Sequence, residues 1–260
     1  MSLVKILALG DVVGVGGCQY LSGGRLRRMR DTLGADFVIV NGENSAVGNA
    51  LSPESAELIF EAGADVITGG NHTFKKRQIY DYLDSHENAI RPANYPADAP
   101  GDGYCIADCK GWRVLCINLL GTTFMDSLDS PFKTVDRILE KNRGRYDISV
   151  VDFHAEATSE KLCMGRYLDS RVSAVFGTHT HIQTADARVL PGGTGYITDL
   201  GMTGSEAGVL GVKTECIIHK FTVRTPVYFE PAEGELAAHG ALFTVDTSTG
   251  LCKEVVSITF

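Results

Sequence analysis

The sequence has no apolar stretch long enough to span a bilayer, no Cys-x-x-Cys pair and no excess of positive charge. The first absence argues against a membrane-spanning helix, which needs about 20 consecutive apolar residues. The apolar run at 4–9 is also too short for the core of a signal peptide, and it runs directly into Gly10-Asp11. The seven cysteines (Cys18, Cys105, Cys109, Cys116, Cys163, Cys216 and Cys252) are odd in number. Reduced, mostly buried thiols and a cytoplasmic setting are therefore expected. A Cys105–Cys109 site would lack the second pair that completes it. With 24 basic against 32 acidic residues the net charge is -8. Stable association with nucleic acid or a membrane surface is not expected of such a chain, because phosphate-rich partners would be repelled. A small anion could still bind where metal ions reverse the local field. There is no internal repeat and no low-complexity linker. The 260 residues, 44% of them hydrophobic, can bury a substantial core, so one domain over residues 1–260 is expected. Met1-Ser2-Leu3 is given no function, and homo-oligomerisation is left open.

What the chain does have is a series of apolar, strand-like runs that end in polar residues. The run at 4–9 ends in Gly10-Asp11, that at 37–40 in Asn41-Gly42-Glu43-Asn44, and that at 65–68 in Gly69-Gly70-Asn71-His72. The run at 148–153 ends in His154, and that at 172–176 in Gly177-Thr178-His179-Thr180-His181. Between them, a Gly-rich turn is expected through Gly14, Gly16 and Gly17, then a basic amphipathic helix over about 20–33. Further helices are expected from Ser52-Pro53 to about Gly63 (a cap residue followed by proline), over about 75–83 and over about 132–142. A hairpin is expected to turn at Lys110-Gly111. This alternation implies a mostly parallel, layered α/β sheet. After Pro191 the pattern turns β-like, with strands expected at 195–198, 216–223, 227–229, 240–246 and 252–259.

Ligands in parallel α/β sheets gather beyond the carboxyl ends of the strands. Asp11, Glu43, Asn44, Asn71, His154, His179 and His181 all fall there. Taken singly, Asp11 and Asn44 could be turn residues and His154 a satisfied core histidine. His179 and His181 are two apart, so an extended segment would turn both to one side. Five strand ends repeating the signal point instead to a metal centre. Imidazole, carboxylate and amide oxygen together suit iron, manganese or zinc. Asp152 could hold His154 through its other ring nitrogen. Arg91, Asn94 and Tyr95 could line a substrate loop or only pack it. The basic cluster Arg25, Arg27, Arg28 and Arg30 reads as a solvated helix face or an RNA-facing patch.

Gly10-Asp11, Asn41-Gly42-Glu43-Asn44, Gly70-Asn71-His72, His154 and Gly177-Thr178-His179-Thr180-His181 resemble the motif series of calcineurin-like metallophosphoesterases. Longer phrases resemble the bacterial YmdB-like branch. They include Arg91-Pro92-Ala93-Asn94-Tyr95-Pro96, His154-Ala155-Glu156-Ala157-Thr158-Ser159-Glu160-Lys161 and Thr198-Asp199-Leu200-Gly201-Met202-Thr203-Gly204. The resemblance covers nearly the whole chain. It implies an α/β/β/α sandwich with a β-rich C-terminal half, and a phosphodiesterase that opens 2′,3′-cyclic nucleotides with two divalent or mixed-valence ions. One ion would take Asp11, Glu43, Asn44 and His181, the other Glu43, Asn71, His154 and His179. A bound hydroxide would attack phosphorus, with His72 as general acid.

Three departures from the broad superfamily stand out. Val12-Val13 follow Asp11 where Asp-x-His is usual, and Glu43 replaces the bridging aspartate; the YmdB-like branch shares both. Thr73 stands where an acidic residue follows Gly-Asn-His, and Phe74-Lys75 replace the tryptophan and acidic residue common in the branch, which leaves His72 without that neighbouring carboxylate. A phosphomonoesterase or protein phosphatase remains an alternative reading, as does a metal-bound regulatory scaffold.

Overall fold

A computed structural model describes residues 2–260; Met1 lies outside the described residues. The strands are β1 (Leu3–Leu9), β2 (Asp11–Val12), β3 (Phe37–Asn41), β4 (Val66–Thr68), β5 (Ala89–Ile90), β6 (Tyr104–Cys109) and β7 (Trp112–Leu120). They continue with β8 (Ile148–His154), β9 (Ala174–Thr178), β10 (Arg188–Val189), β11 (Gly195–Ile197), β12 (Met202–Ser205), β13 (Leu236–Asp246) and β14 (Leu251–Thr259). The helices are α1 (Gly14–Leu21), α2 (Arg25–Leu33), α3 (Pro53–Ala62), α4 (Ile79–Ser85), α5 (Pro131–Lys141), α6 (Thr158–Tyr167) and α7 (Thr214–Val223). No helix among the described residues is long and apolar enough to cross a membrane.

The strands form two mixed sheets instead of one mostly parallel sheet. The first runs β2-β12-β13-β1-β3-β4-β5, with β14 on β13; the second runs β10-β11-β9-β8-β7-β6. Each keeps a parallel centre, β1-β3-β4-β5 in the first and β7-β8-β9-β11 in the second. Strand alternation then sorts the side chains into three layers. Ile6, Ala8, Phe37 and Ile39 face Cys116, Val150, Ala174 and Phe176 between the sheets. Leu7, Leu9, Val38 and Val40 face Leu21, Met29 and Ile59 of the helices on one outer side. Leu115, Val151, Phe153 and Val175 face Val135, Ile138 and Met164 on the other. The result is the expected α/β/β/α sandwich. Parallel strands covered on both faces read as continuous apolar runs, which is why these were visible in the sequence.

Four local expectations are corrected. The Gly14–Gly17 stretch is the start of α1, not a turn; a Cβ at Gly17 would stand 2.4 Å from the Thr203 carbonyl oxygen, so glycine lets the helix lie on β12. The helix expected over 20–33 is broken at Gly23 and Gly24, whose φ values of 63° and 79° no continuous helix accommodates. The helix expected at 75–83 begins only at Ile79, because residues 70–76 first turn through the functional site. Residues 216–223 lie within helix α7, and 227–229 form no strand. Glu215 in the first turn and Lys220 in the last suit the helix dipole.

Cys105, Cys109 and Cys116 are free thiols in the layer between the sheets, and Cys18 and Cys252 are also buried. The basic cluster on α2 is largely tied down. Arg30 binds Asp65 at 3.1 Å and the Asp36 carbonyl, and Arg27 donates to the Glu61 carbonyl.

Candidate metal centre

On the side that faces between the sheets, β3, β4 and β9 end with Asn41, Thr68 and Thr178, and β8 carries Asp152 two residues before its end at His154. At this depth the apolar core gives way to a polar floor. Asp152 Oδ2 accepts hydrogen bonds from Thr68 Oγ1 and, at 3.1 Å, from Asn41 Nδ2; Asp152 Oδ1 accepts from Thr178 Oγ1 at 2.7 Å. The expected Asp152–His154 link is therefore indirect. Both side chains share one face of β8, but Thr178 Oγ1 lies between them, 2.9 Å from His154 Nδ1. This fixes the ring and turns Nε2 upward.

Above that floor all seven residues expected as ligands converge. His154 Nε2 lies 3.0 Å from Asn71 Oδ1, 3.0 Å from His179 Nδ1 and 3.3 Å from Glu43 Oε1. One donor atom each of Glu43, His154 and His179 falls within 4.8 Å of the others. Beside this group, Asp11 Oδ1 faces His181 Nε2 at 3.6 Å, and Asn44 Nδ2 lies 3.2 Å from the same nitrogen. Glu43, with no exposed side-chain surface, stands between the two groups.

The residues present fit a bound metal cation. Asp11 Oδ1 is buried without a hydrogen-bond partner, a state that costs free energy unless a cation answers it. Lone-pair atoms of Glu43, Asn71, His154 and His179 point at one another across a gap kept open by Gly70. A Cβ there would stand 2.2 Å from Glu43 Oε2 and 2.5 Å from His154 Nε2. Asn71 already presents its oxygen. Asn44 presents its nitrogen to Glu43 and its oxygen to His72, so its amide must turn over to serve as a ligand.

The electrostatics follow from burial and this crowding. Burial raises the Glu43 carboxyl, but His154 and His72 outweigh it and hold the group well below the usual range. Burial likewise opposes the lowering of Asp11, which His181 and His154 accomplish. His154 is raised to about 9: burial opposes its charge, and Glu43, Asp11 and Asp152 overcome that. Burial and the charge of His154 push His179 down to about 4. His181 is raised, because its contact with Asp11 outweighs burial. Asp152 rises to about 6 through burial, despite His154 and its hydrogen bonds.

His179 and His181 do not reach the site as an extended segment. Strand β9 ends at Thr178, and the two histidines take φ values of 100° and 64°. His72 lies at the rim, its Nδ1 2.8 Å from Asn44 Oδ1 and 3.1 Å from Glu43 Oε1, and its amide donates to Glu43 Oε2. The carboxylate missing after His72 is thus supplied from Glu43. Thr73 instead pins the turn at Gly70 by bonding that glycine's N–H and carbonyl, and Phe74 packs edge-on to Tyr80 and Tyr95. Asn94 fastens its loop, exchanging hydrogen bonds with Leu120, and Arg91 is buried against the Pro92 carbonyl; neither lines the centre. Glu156 received no role from the sequence, yet its Oε2 lies 3.0 Å from His179 Nε2. Its only signal was its place two residues after His154.

The chain is 44% identical over 255 residues to the 2′,3′-cyclic-nucleotide 2′-phosphodiesterase of Bacillus subtilis (strain 168), covering 98% of this chain and 95% of that protein. A crystal structure described as a novel phosphatase from Mycoplasma pneumoniae superposes with a TM-score of 0.93 at 34% identity, over 100% of this chain and 94% of the other. That of a hypothetical protein from Thermus thermophilus gives 0.92 at 38%, over 99% of each. A family profile described as YmdB-like protein matches residues 7–258, and the chain belongs to the YmdB-like family.

Proposed function

We propose that this protein is a metal-dependent phosphoric ester hydrolase that cleaves small phosphodiesters, 2′,3′-cyclic nucleotides in particular, with residues 1–260 as one catalytic domain. The observation that carries this reading is the convergence of Glu43, His154 and His179 donor atoms around the gap at Gly70. The activity named for the Bacillus subtilis relative supports the substrate class. Asp11, Glu43, Asn44 and His181 would hold one ion, and Glu43, Asn71, His154 and His179 the other. Glu43, with two carboxylate oxygens, would serve both. The mixed nitrogen and oxygen donors suit iron or manganese, and also zinc. When bound, such ions would lower the pKa of a coordinated water to near 7 and polarise the phosphoryl oxygens.

The remaining work falls to the chain itself. His72 stands outside both ligand sets with its ring edge at the rim, placed to protonate the leaving oxygen; such general acids contribute about 10²–10⁴-fold. The nucleoside has a place beside the centre. A cavity of about 340 Å³ shares Asn44 and His181 with the metal ring and is walled by Val13, Val47, Leu210, Tyr228 and Phe229. That volume lies within the usual range for small-molecule sites, and its aromatic walls suit a nucleobase. The free thiols fit a reducing, cytoplasmic setting.

Paired assays on 2′,3′-cyclic AMP, 3′,5′-cyclic AMP and p-nitrophenyl phosphate test the reading. The 2′,3′-cyclic diester should turn over best, and His72→Ala should keep its metal while losing at least about tenfold in kcat. Preferential turnover of the monoester would overturn the substrate assignment. No turnover by metal-replete protein would favour a regulatory scaffold.

A further inference from the structure

Two residues of the phrases that carry the family resemblance, Lys161 at the end of one and Asp199 within another, are not part of the metal ring itself. We propose that Lys161 and Asp199 are positioning residues that hold the 179–181 segment in its ligand-presenting shape through Thr180. This rests on the reading of His179 and His181 as metal ligands.

Lys161 is on α6 and Asp199 follows β11, 38 positions apart in the chain. Their side chains are 2% and 1% exposed and meet at 2.6 Å. A lysine so deeply buried is rare, and a buried ion pair is weak as a source of stability because desolvating both charges offsets their attraction. Its geometry shows another use. Asp199 Oδ2, the oxygen that receives Lys161 Nζ, also accepts from the Thr180 backbone N–H at 3.1 Å and from Thr180 Oγ1 at 2.8 Å. Asp199 Oδ1 accepts from the Gly201 N–H, which anchors the carboxylate to the next turn. Thr180 is therefore gripped at backbone and side chain, and it is the single residue between the two histidines.

Those histidines need gripping. Both have positive φ, a conformation that a non-glycine residue keeps only when its surroundings enforce it. Direct restraint within the ring comes from Asp11, which accepts from the His179 N–H at 3.0 Å. Asp11 holds the segment on one side and Asp199 holds it on the other. Glycine at 177 makes room for the Lys161 stem, since a Cβ there would come within 3.0 Å of its Cδ and within 1.9 Å of the Thr198 carbonyl oxygen.

The test is metal affinity of the double variant Lys161→Met/Asp199→Asn, which removes both charges together and so leaves neither one buried alone. Mn²⁺ binding is measured by calorimetry, and the visible spectrum of the Co²⁺-substituted protein reports the histidine donors directly. The double variant should keep its secondary structure, bind metal about 10–100-fold more weakly, and show an altered Co²⁺ spectrum, which a role in stability alone would not produce. Should that variant fail to fold, Thr180→Val serves in its place: it keeps the ion pair and removes only the hydroxyl donor, and at least tenfold weaker binding is expected. Folded variants with unchanged affinity and spectrum would overturn the inference while leaving the metal centre intact. An unmutated protein that binds neither ion would overturn the ligand assignment beneath it.

Discussion

Raising the pH should strengthen metal binding to the metal-free protein about tenfold per unit between roughly pH 6.5 and 8.5, with His154 setting that slope. His154 Nε2 is surrounded by Asn71 Oδ1, His179 Nδ1 and Glu43 Oε1, all within 3.3 Å. Without an ion, a proton answers those acceptors, and the ring is raised to about 9. An ion needs the same lone pair, so it must displace the proton. From pH 7 to a pKa of about 9 is two units, about 2.7 kcal/mol or 100-fold in apparent affinity. His179, at about 4, is already neutral and adds nothing in this range. Raised His181 adds a further contribution of the same sign. The assay is calorimetric titration of chelator-stripped protein with Mn²⁺, in buffers of different ionisation heat, which counts released protons. At least one proton per site pair should leave at pH 7, and His154→Asn should remove about one from the count. Equal affinity at pH 6.5 and 8.5 with no proton release would refute the reasoning, since the three acceptors would then not be competing with a metal for one lone pair.

Two other outcomes follow from the same residues. Metal-free protein should lose thermal stability as pH rises from 6.5 to 9: a raised histidine pKa gives stability that is complete below the unfolded value and gone above the folded one, here at most about 3 kcal/mol; a flat melting temperature across that window would contradict it. Gly70→Ala should fold at an overpacking cost of about 1–3 kcal/mol yet lose most of its metal, because the new methyl occupies the gap between Glu43 and His154; elemental analysis of the folded variant checks this.

The centre was legible in the sequence because parallel strands buried on both faces read as apolar runs, and their ends announce themselves by a change to Asp, Glu, Asn and His. All seven expected ligand positions come together for that reason. Distances across the fold were not legible. Nothing in Asp152-Phe153-His154 shows that Thr178 of the next strand will stand between the carboxylate and the imidazole. Nor does the spacing of His179 and His181 reveal that positive φ, not strand alternation, aims them. The glycines at the start of α1 read as a turn because close packing on Thr203 leaves no mark in local pattern. Helix α7 was misread for the opposite reason. It buries no residue, so its apolar positions carry no periodicity imposed by a core.

The most direct test of the proposed two-ion centre is anomalous scattering from crystals of protein purified without chelators, with elemental analysis of the same sample. Two peaks should appear on either side of Glu43, one beside Asp11 and His181 and the other beside Asn71, His154 and His179. A ring without metal, or a single ion out of contact with Glu43, would contradict the shared carboxylate on which the proposed chemistry depends.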